Sequence, residues 1–387
     1  MTSDDLSLMR GGLIYRTMHL LGLLRSRLAL PPVIAALLVI VAYFPLALAA
    51  AWHGTLLPGE VTMPLLADAS VYARFVLALP LLVLAAPPAD RLLRAAVRQL
   101  SRAGLIPDSQ HAAFDTLVAR ARALRDSHIP EWLCLLVALA PALLSPPVVT
   151  ELSHVSGWHA NADGSTSAAA WWAWWVSMPL FRLVGLMWLW RFLIWTLLLW
   201  RLSRLDLDLR PPHPDGSGGI GFLGFAQQRF SALSLAGGIV LAGSCINHFI
   251  YAGQTLTDVH YLLAAYIVGS TMLLAPLVLL SPALIRAKRH ALLKYSALGH
   301  RAIRSFDLYW KRGQPDPDAP SLLDSPQPSA LADFGSVYSS LARMSLVPLC
   351  RANVLWMLLS AAVPLLPLVF FAMSVDSLIS KLASILF

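Results

Sequence analysis

Two stretches of this 387-residue chain carry residue types that could do chemistry. RPPHPDGSGGIGFLG, residues 210–224, holds His213, Asp215, Ser217 and five glycines. G-x-G-x-x-G fits it twice, through Gly216, Gly218 and Gly221 and again through Gly219, Gly221 and Gly224. A glycine-rich turn that opens a helix can cradle a phosphate on its backbone N–H groups, and His, Asp and Ser can act as acid, base, nucleophile or metal ligand. The second stretch is WWAWWVSMPLFRLVGLMWLWRFLIWTLLLW, residues 171–200, a largely apolar run in which Arg182 stands nine residues before Arg191.

The surroundings of the glycine loop exclude most of that chemistry. LDLDLR before it alternates like a short strand, but no second strand and no βαβ unit follow, so a dinucleotide site is rejected. No Lys-Ser or Lys-Thr follows the glycines, which removes a Walker A loop. His213, Asp215 and Ser217 lie two apart in a proline-broken loop, and His111, His128, His290 and His300 show no ligand spacing. The sequence therefore offers no catalytic constellation, no metal site and no cofactor. Two readings remain. The loop could hold an anion or a lipid phosphate through Arg210, Gly216, Gly218, Gly219 and Gly221 at a helix start, where N–H groups are unpaired. The simpler reading is a turn, in which Pro211, Pro212 and Pro214 stop one helix and the glycines start the next.

Arg182 is the less ordinary residue. Trp171, Trp172, Trp174 and Trp175 read as an interfacial belt, and Arg182 lies roughly 12 Å deeper at 1.5 Å per residue. An arginine near the bilayer midplane costs at least about 2.5–3.5 kcal/mol and needs a partner or water. The partners in reach on paper are Asn247 and His248 in another apolar run, carbonyls freed by Pro179, or an anion. Arg182, Asn247 and His248 thus form a candidate anion or solute pathway. The alternative is a tilted helix whose Arg182 reaches water or makes a structural hydrogen bond.

The elements that must position these residues follow from composition. The chain is 57% hydrophobic and 13% charged, where a soluble domain averages about 25% charged residues. The expected fold class is all-α, a polytopic transmembrane bundle of six or seven spans with a cytoplasmic layer of amphipathic helices. Apolar runs long enough to span lie at 31–52, 70–88, 131–151, 171–198, 229–253, 260–283 and 353–373. The last holds Pro364 and Pro367 and could instead be re-entrant.

Segments 53–69, 152–170 and 254–259 contain no Lys or Arg, whereas 89–130, 199–228 and 284–352 contain many. The positive-inside rule then places the N-terminus in the cytoplasm of a bacterial inner-membrane protein. It also accounts for the net charge of +8 without nucleic acid. The expected partners are anionic lipid head groups at the cytoplasmic face.

Four regions result. Residues 1–30 form an amphipathic surface helix, and 31–283 a six-span bundle with a cytoplasmic helical pair at 89–128. Residues 284–352 form a cytoplasmic helical segment with a Pro-rich loop at 314–329, and 353–387 a last span or re-entrant segment with an amphipathic tail. Ser234, Gly238 and Ala242 form a ridge for close helix contact, within the chain or in a homo-oligomer. Cys134, Cys245 and Cys350 fit no disulfide or zinc pattern.

The string His213-Pro-Asp215-Gly-Ser-Gly218-Gly219-Ile-Gly221-Phe-Leu223 resembles the cytoplasmic HPDxxGGxGFL loop of uncharacterised bacterial polytopic membrane proteins. The ending PLLPLVFFAMSVDSLISKLASILF is similar too. The resemblance implies a membrane location and no activity. The expected function is a channel or transporter for an anion or anionic solute. The other reading is a scaffold or signalling protein that docks partners on basic cytoplasmic helices. An enzyme is the reading with the least support.

Overall fold

The computed structural model describes residues 6–9, 30–59, 61–145, 155–161, 163–310 and 326–372. Described residues form helices α1 (Leu30–Trp52), α2 (Ala69–Arg102), α3 (Asp108–Asp126), α4 (His128–Leu144), α5 (Ala168–Leu202), α6 (Phe222–Tyr251), α7 (Leu256–Leu308), α8 (Pro326–Ala342) and α9 (Arg351–Phe371). Among them the only β pairing is two isolated bridges, Met63 with Gly157 and Ala160 with Thr166. LDLDLR makes no strand.

Six helices are long and apolar enough to cross a membrane: α1, α2, α5, α6, α7 and α9. The chain is a helical multi-pass membrane protein. The segment left open in the sequence, α9, qualifies on its own, although Pro364 and Pro367 tighten its middle into a 3₁₀ stretch over Val363–Leu368. Of the run expected at 131–151, the described residues form the end of the 17-residue α4, about 25 Å long against roughly 30 Å of hydrocarbon. It reaches spanning length only together with α3, from which it bends by 42°. Pro146, Pro147 and Glu151 lie outside the described residues.

The connecting loops sort onto two ends. At one, which carries Asp68, Asp163 and Asp258, Met63 N donates to Ser156 O (3.0 Å) and Trp158 N to Met63 O (3.2 Å). At the other, rich in Arg and Lys, Asp208 N donates to Leu105 O (2.9 Å) and Ser345 N to Gly216 O (2.8 Å). We call these the acidic and basic ends. Three of the apolar helices begin at a side-chain cap. Asp68 accepts from Ser70 N and Val71 N before α2, Ser167 from Ala170 N before α5, and Thr255 and Asp258 form a capping box on α7, each satisfying orphan N–H groups.

The larger core lies toward the basic end, around Trp188, Trp195, Phe114 and Phe230. Trp188 donates to Leu82 O (3.1 Å) and Trp195 to Gln227 Oε1 (2.6 Å), so both indoles are buried without an orphan donor. A second cluster, with Phe75, Leu46 and Trp158, fills the acidic end between α1, α2 and α5. Past its apolar part α7 runs on as a basic helix against α8, with Tyr295 stacked on Phe334 at 6.3 Å. The helix expected from residue 330 begins at Pro326, inside the stretch read as the Pro-rich loop; residues 311–325 lie outside the described ones.

Of residues 1–30, expected as an amphipathic segment at the membrane surface, only 6–9 and 30 are described, and the pattern at 13–29 that carries the expectation lies outside the described residues. Leu6–Met9 is non-helical and buried, with exposures of 1%, 8%, 1% and 6% along the segment. Its hydroxyl and amide hydrogen-bond a buried carboxylate, described below. Residues 1–5 and 10–29, and the tail from 373, lie outside the described residues.

Candidate functional site

Arg182 sits on α5 after a π-helical stretch, Ala173–Ser177, which underwinds the helix and turns Trp174 onto the face of Arg182. Helical side chains tilt toward the N-terminus of their helix, and the guanidinium climbs toward the acidic end until it lies 5.9 Å from the Trp174 ring centroid. Its charge therefore stands well above its Cα. Arg182 Nη1 is buried with no hydrogen-bond partner among the described residues, and so is Trp174 Nε1. Two N–H donors, one of them cationic, share one face and lack an acceptor.

Asn247 and His248 do not join Arg182. Asn247 is buried at the acidic end, where its Nδ2 donates to Asp68 Oδ1 (2.7 Å) and its Oδ1 accepts from Ala69 N (3.0 Å). His248 Nδ1 lies 2.8 Å from Ser244 O on its own helix. The expected three-residue pathway is thus divided. Asn247 belongs to a structural cluster, because α6 packs against the start of α2 and places it over the Asp68 cap.

That cluster includes residues the sequence reading passed over. Trp158 Nε1 donates to Asp68 Oδ2 (3.0 Å). Arg74 in α2 donates to Ser70 Oγ (2.9 Å) and Ser244 Oγ (3.2 Å). Burial alone would raise the Asp68 carboxyl, but hydrogen bonds from Ser70, Asn247 and Trp158, together with nearby His159, hold it below the usual carboxylate range. Burial pushes the His159 imidazole down to about 4, against the pull of Asp68. At neutral pH His159 is therefore uncharged, and the hydrogen bonds carry the effect on Asp68. The signal for Arg74 was present in the sequence, as an arginine four residues after Ser70 in an apolar run.

At the basic end the glycine loop closes on itself. Gly216, Gly218 and Gly219 have φ of +63°, +65° and +95°, conformations that favour glycine. They point N–H groups inward, and Asp215 takes them: Oδ1 accepts from Ser217 N (2.8 Å) and Gly219 N (3.1 Å), Oδ2 from Gly221 N (2.8 Å). His213 Nδ1 lies 2.9 Å from Asp215 Oδ1, and Arg210 pairs with Asp208. Burial would raise the Asp215 carboxyl, but the three backbone donors and His213 outweigh it and hold it low. Of the expected anion cradle of Arg210, Gly216, Gly218, Gly219 and Gly221, the N–H groups of Gly219 and Gly221 go to Asp215, that of Gly216 goes to His213 O, and Arg210 goes to Asp208. The loop brings its own anion, and Gly216 O and Gly218 O face Ser345 N and Arg210 N instead. The loop borders a cleft of about 920 Å³ that Gln99, Arg343 and Cys350 also line.

A third polar cluster joins the helices near the basic end. Asp90, 1% exposed, accepts from Ser7 Oγ (2.9 Å), Met9 N (2.8 Å) and Arg94 Nη2 (2.9 Å). Arg125 Nη1 donates to Ser7 O (2.6 Å). Arg191, nine residues beyond Arg182 on α5, has Nη1 3.7 Å from Met9 Sδ. Among the described residues no group of three or more His, Cys, Asp or Glu could hold a metal ion. Compared with protein-family models, with curated proteins and with solved structures, the chain matches none.

Proposed function

We propose that this multi-pass membrane protein is a channel or transporter for a small anion, with Arg182 as the station that binds it. One observation carries the reading: Arg182 Nη1 and Trp174 Nε1 are buried donors without an acceptor among the described residues, and the two side chains stand together. Leaving a buried donor unsatisfied costs about 1–3 kcal/mol, more for a charged group. A passing anion supplies that acceptor. Arg74, Arg182 and Arg191 all lie within apolar helices, so cations recur along the interior, as intramembrane charges on ion pathways do.

The basic end is then cytoplasmic, by the positive-inside rule, in a bacterial inner membrane whose anionic lipids it meets. In liposomes loaded with chloride or phosphate, the purified protein is expected to carry flux that Arg182→Ala abolishes and Arg182→Lys partly restores. Anionic lipid content separates a solute from a lipid phosphate as the acceptor. Unchanged flux in Arg182→Ala sinks the reading.

A second reading is a scaffold. It is favoured by the arm of α7 and α8, where Leu293 and Ile303 are exposed among Arg289, Lys294, Arg301 and Arg304. A stoichiometric partner lost on Leu293→Glu, with no flux in liposomes, would select it.

A further inference from the structure

Leu6–Met9 lies against α2, α3 and α5 as a short non-helical segment, with its apolar side chains buried and its hydroxyl and backbone held by charged groups. We infer that the segment is an exchangeable plug, seated over Arg191 and closing the basic-end entrance to an anion site there. The inference rests on the reading of α5 as the anion-facing helix.

Three observations carry it. First, the groups that hold the segment keep partners of their own without it. Asp90 retains Arg94 at 2.9 Å on the same helix, and Arg125 retains both oxygens of Asp126, Nε to Oδ1 at 2.8 Å and Nη2 to Oδ2 at 2.6 Å. Withdrawal therefore strands no buried charge, the term that makes breaking a buried pair costly. Second, Met9 meets Arg191 through a thioether, a weak acceptor for a cation. Asp90 and Glu131 lie near enough to act on Arg191, so an anion that reaches it takes the place of Met9 and does so against those two carboxylates. Third, Arg191 and Arg182 share α5, so opening the plug adds a second cationic station on the helix that carries the first.

The test uses the full chain with Cys134 and Cys245 replaced by alanine and exposed Cys350 kept as an internal reference. Arg191→Cys is labelled with a membrane-impermeant maleimide in inverted vesicles. With the plug in place, labelling is expected at least ten times slower than at Cys350. Ser7→Asp sets a carboxylate against Asp90 and is expected to bring the two rates within about threefold. Deleting residues 1–9 repeats the comparison without an added charge and serves if Ser7→Asp does not fold. Equal protection of Arg191→Cys with and without the plug overturns the inference, and so does fast labelling in the intact chain. Flux is read separately on chains that keep Arg191. A labelling contrast with no flux in any variant overturns the anion path and leaves the plug. Flux raised by Ser7→Asp and lost in Arg182→Ala supports both.

Discussion

Asn247 and Asp68, 179 positions apart, meet through a 2.7 Å hydrogen bond that ties α6 to the start of α2. Both are buried, and the same Asn247 also accepts from Ala69 N. One side chain thus caps a helix and joins two of the six apolar helices. Asn247→Ala removes a bond to a charged acceptor and is expected to cost about 2–3 kcal/mol. Thermal unfolding in detergent micelles reads this. In a double-mutant cycle with Asp68→Asn the two losses should be clearly non-additive, because the residues share one bond.

His159 makes the acidic end sensitive to mild acid. Its folded value, about 4, lies below the ordinary 6.5, so at pH below 6.5 the unfolded chain binds a proton that the folded chain refuses. The stability this neutral imidazole contributes is complete above about pH 6.5. It falls as pH drops toward 4 and is constant below, a total of about 3 kcal/mol at 1.36 kcal/mol per unit. His159→Gln should flatten the stability profile between pH 6.5 and 4.5. An unchanged slope in that variant contradicts the assignment.

Asp215 works in the opposite sense. Its carboxyl is held low, so its contribution is present above the ordinary aspartate range and is lost as pH falls through the lowered folded value. Asp215→Asn removes the charge that three backbone N–H groups share and should cost about 2 kcal/mol. Gly219→Ala should cost about 1–2 kcal/mol through its left-handed backbone alone, with Leu105 Cδ2 only 3.3 Å from the new Cβ. If the loop instead cradled an external anion, these variants would fold normally and lose only binding.

Among the described glycines, Gly243 leaves the least room for a side chain. A Cβ there would stand 2.5 Å from Ala73 Cβ and 2.8 Å from Ala69 O. Backbone cannot yield as a side chain can, so Gly243→Ala should destabilise by about 1–3 kcal/mol. Gly185 on α5 has nothing within 4 Å of its Cβ position. Gly185→Ala should be neutral or stabilising by up to about 1 kcal/mol, and the pair of melting curves checks the contrast.

Particular residues show how far the sequence could be read. The apolar runs and the one-sided Lys and Arg predicted the helices and the sorting of loops onto two ends, which the contacts Met63–Ser156 and Leu105–Asp208 reproduce. Gly218 and Gly219 were legible as turn glycines. Arg182 was legible as unusual, but its contact with Trp174 was not, because that depends on how the two side chains are directed around the π-helical stretch. Asn247 was assigned to Arg182 only because both are polar in apolar runs, and spacing within separate helices says nothing about which faces meet.

By itself the sequence determined the helical membrane class and the two chemically distinct ends. Those depend on local hydrophobicity and charge, which act over a few neighbours along the chain. Only the tertiary structure decided which polar groups are satisfied: Asp68 by Asn247, Asp90 by Ser7, the glycine loop by its own Asp215, and Arg182 by no described acceptor. Pairing of that kind depends on helix rotation and register, and a shift of one residue turns a side chain by about 100° away from its partner.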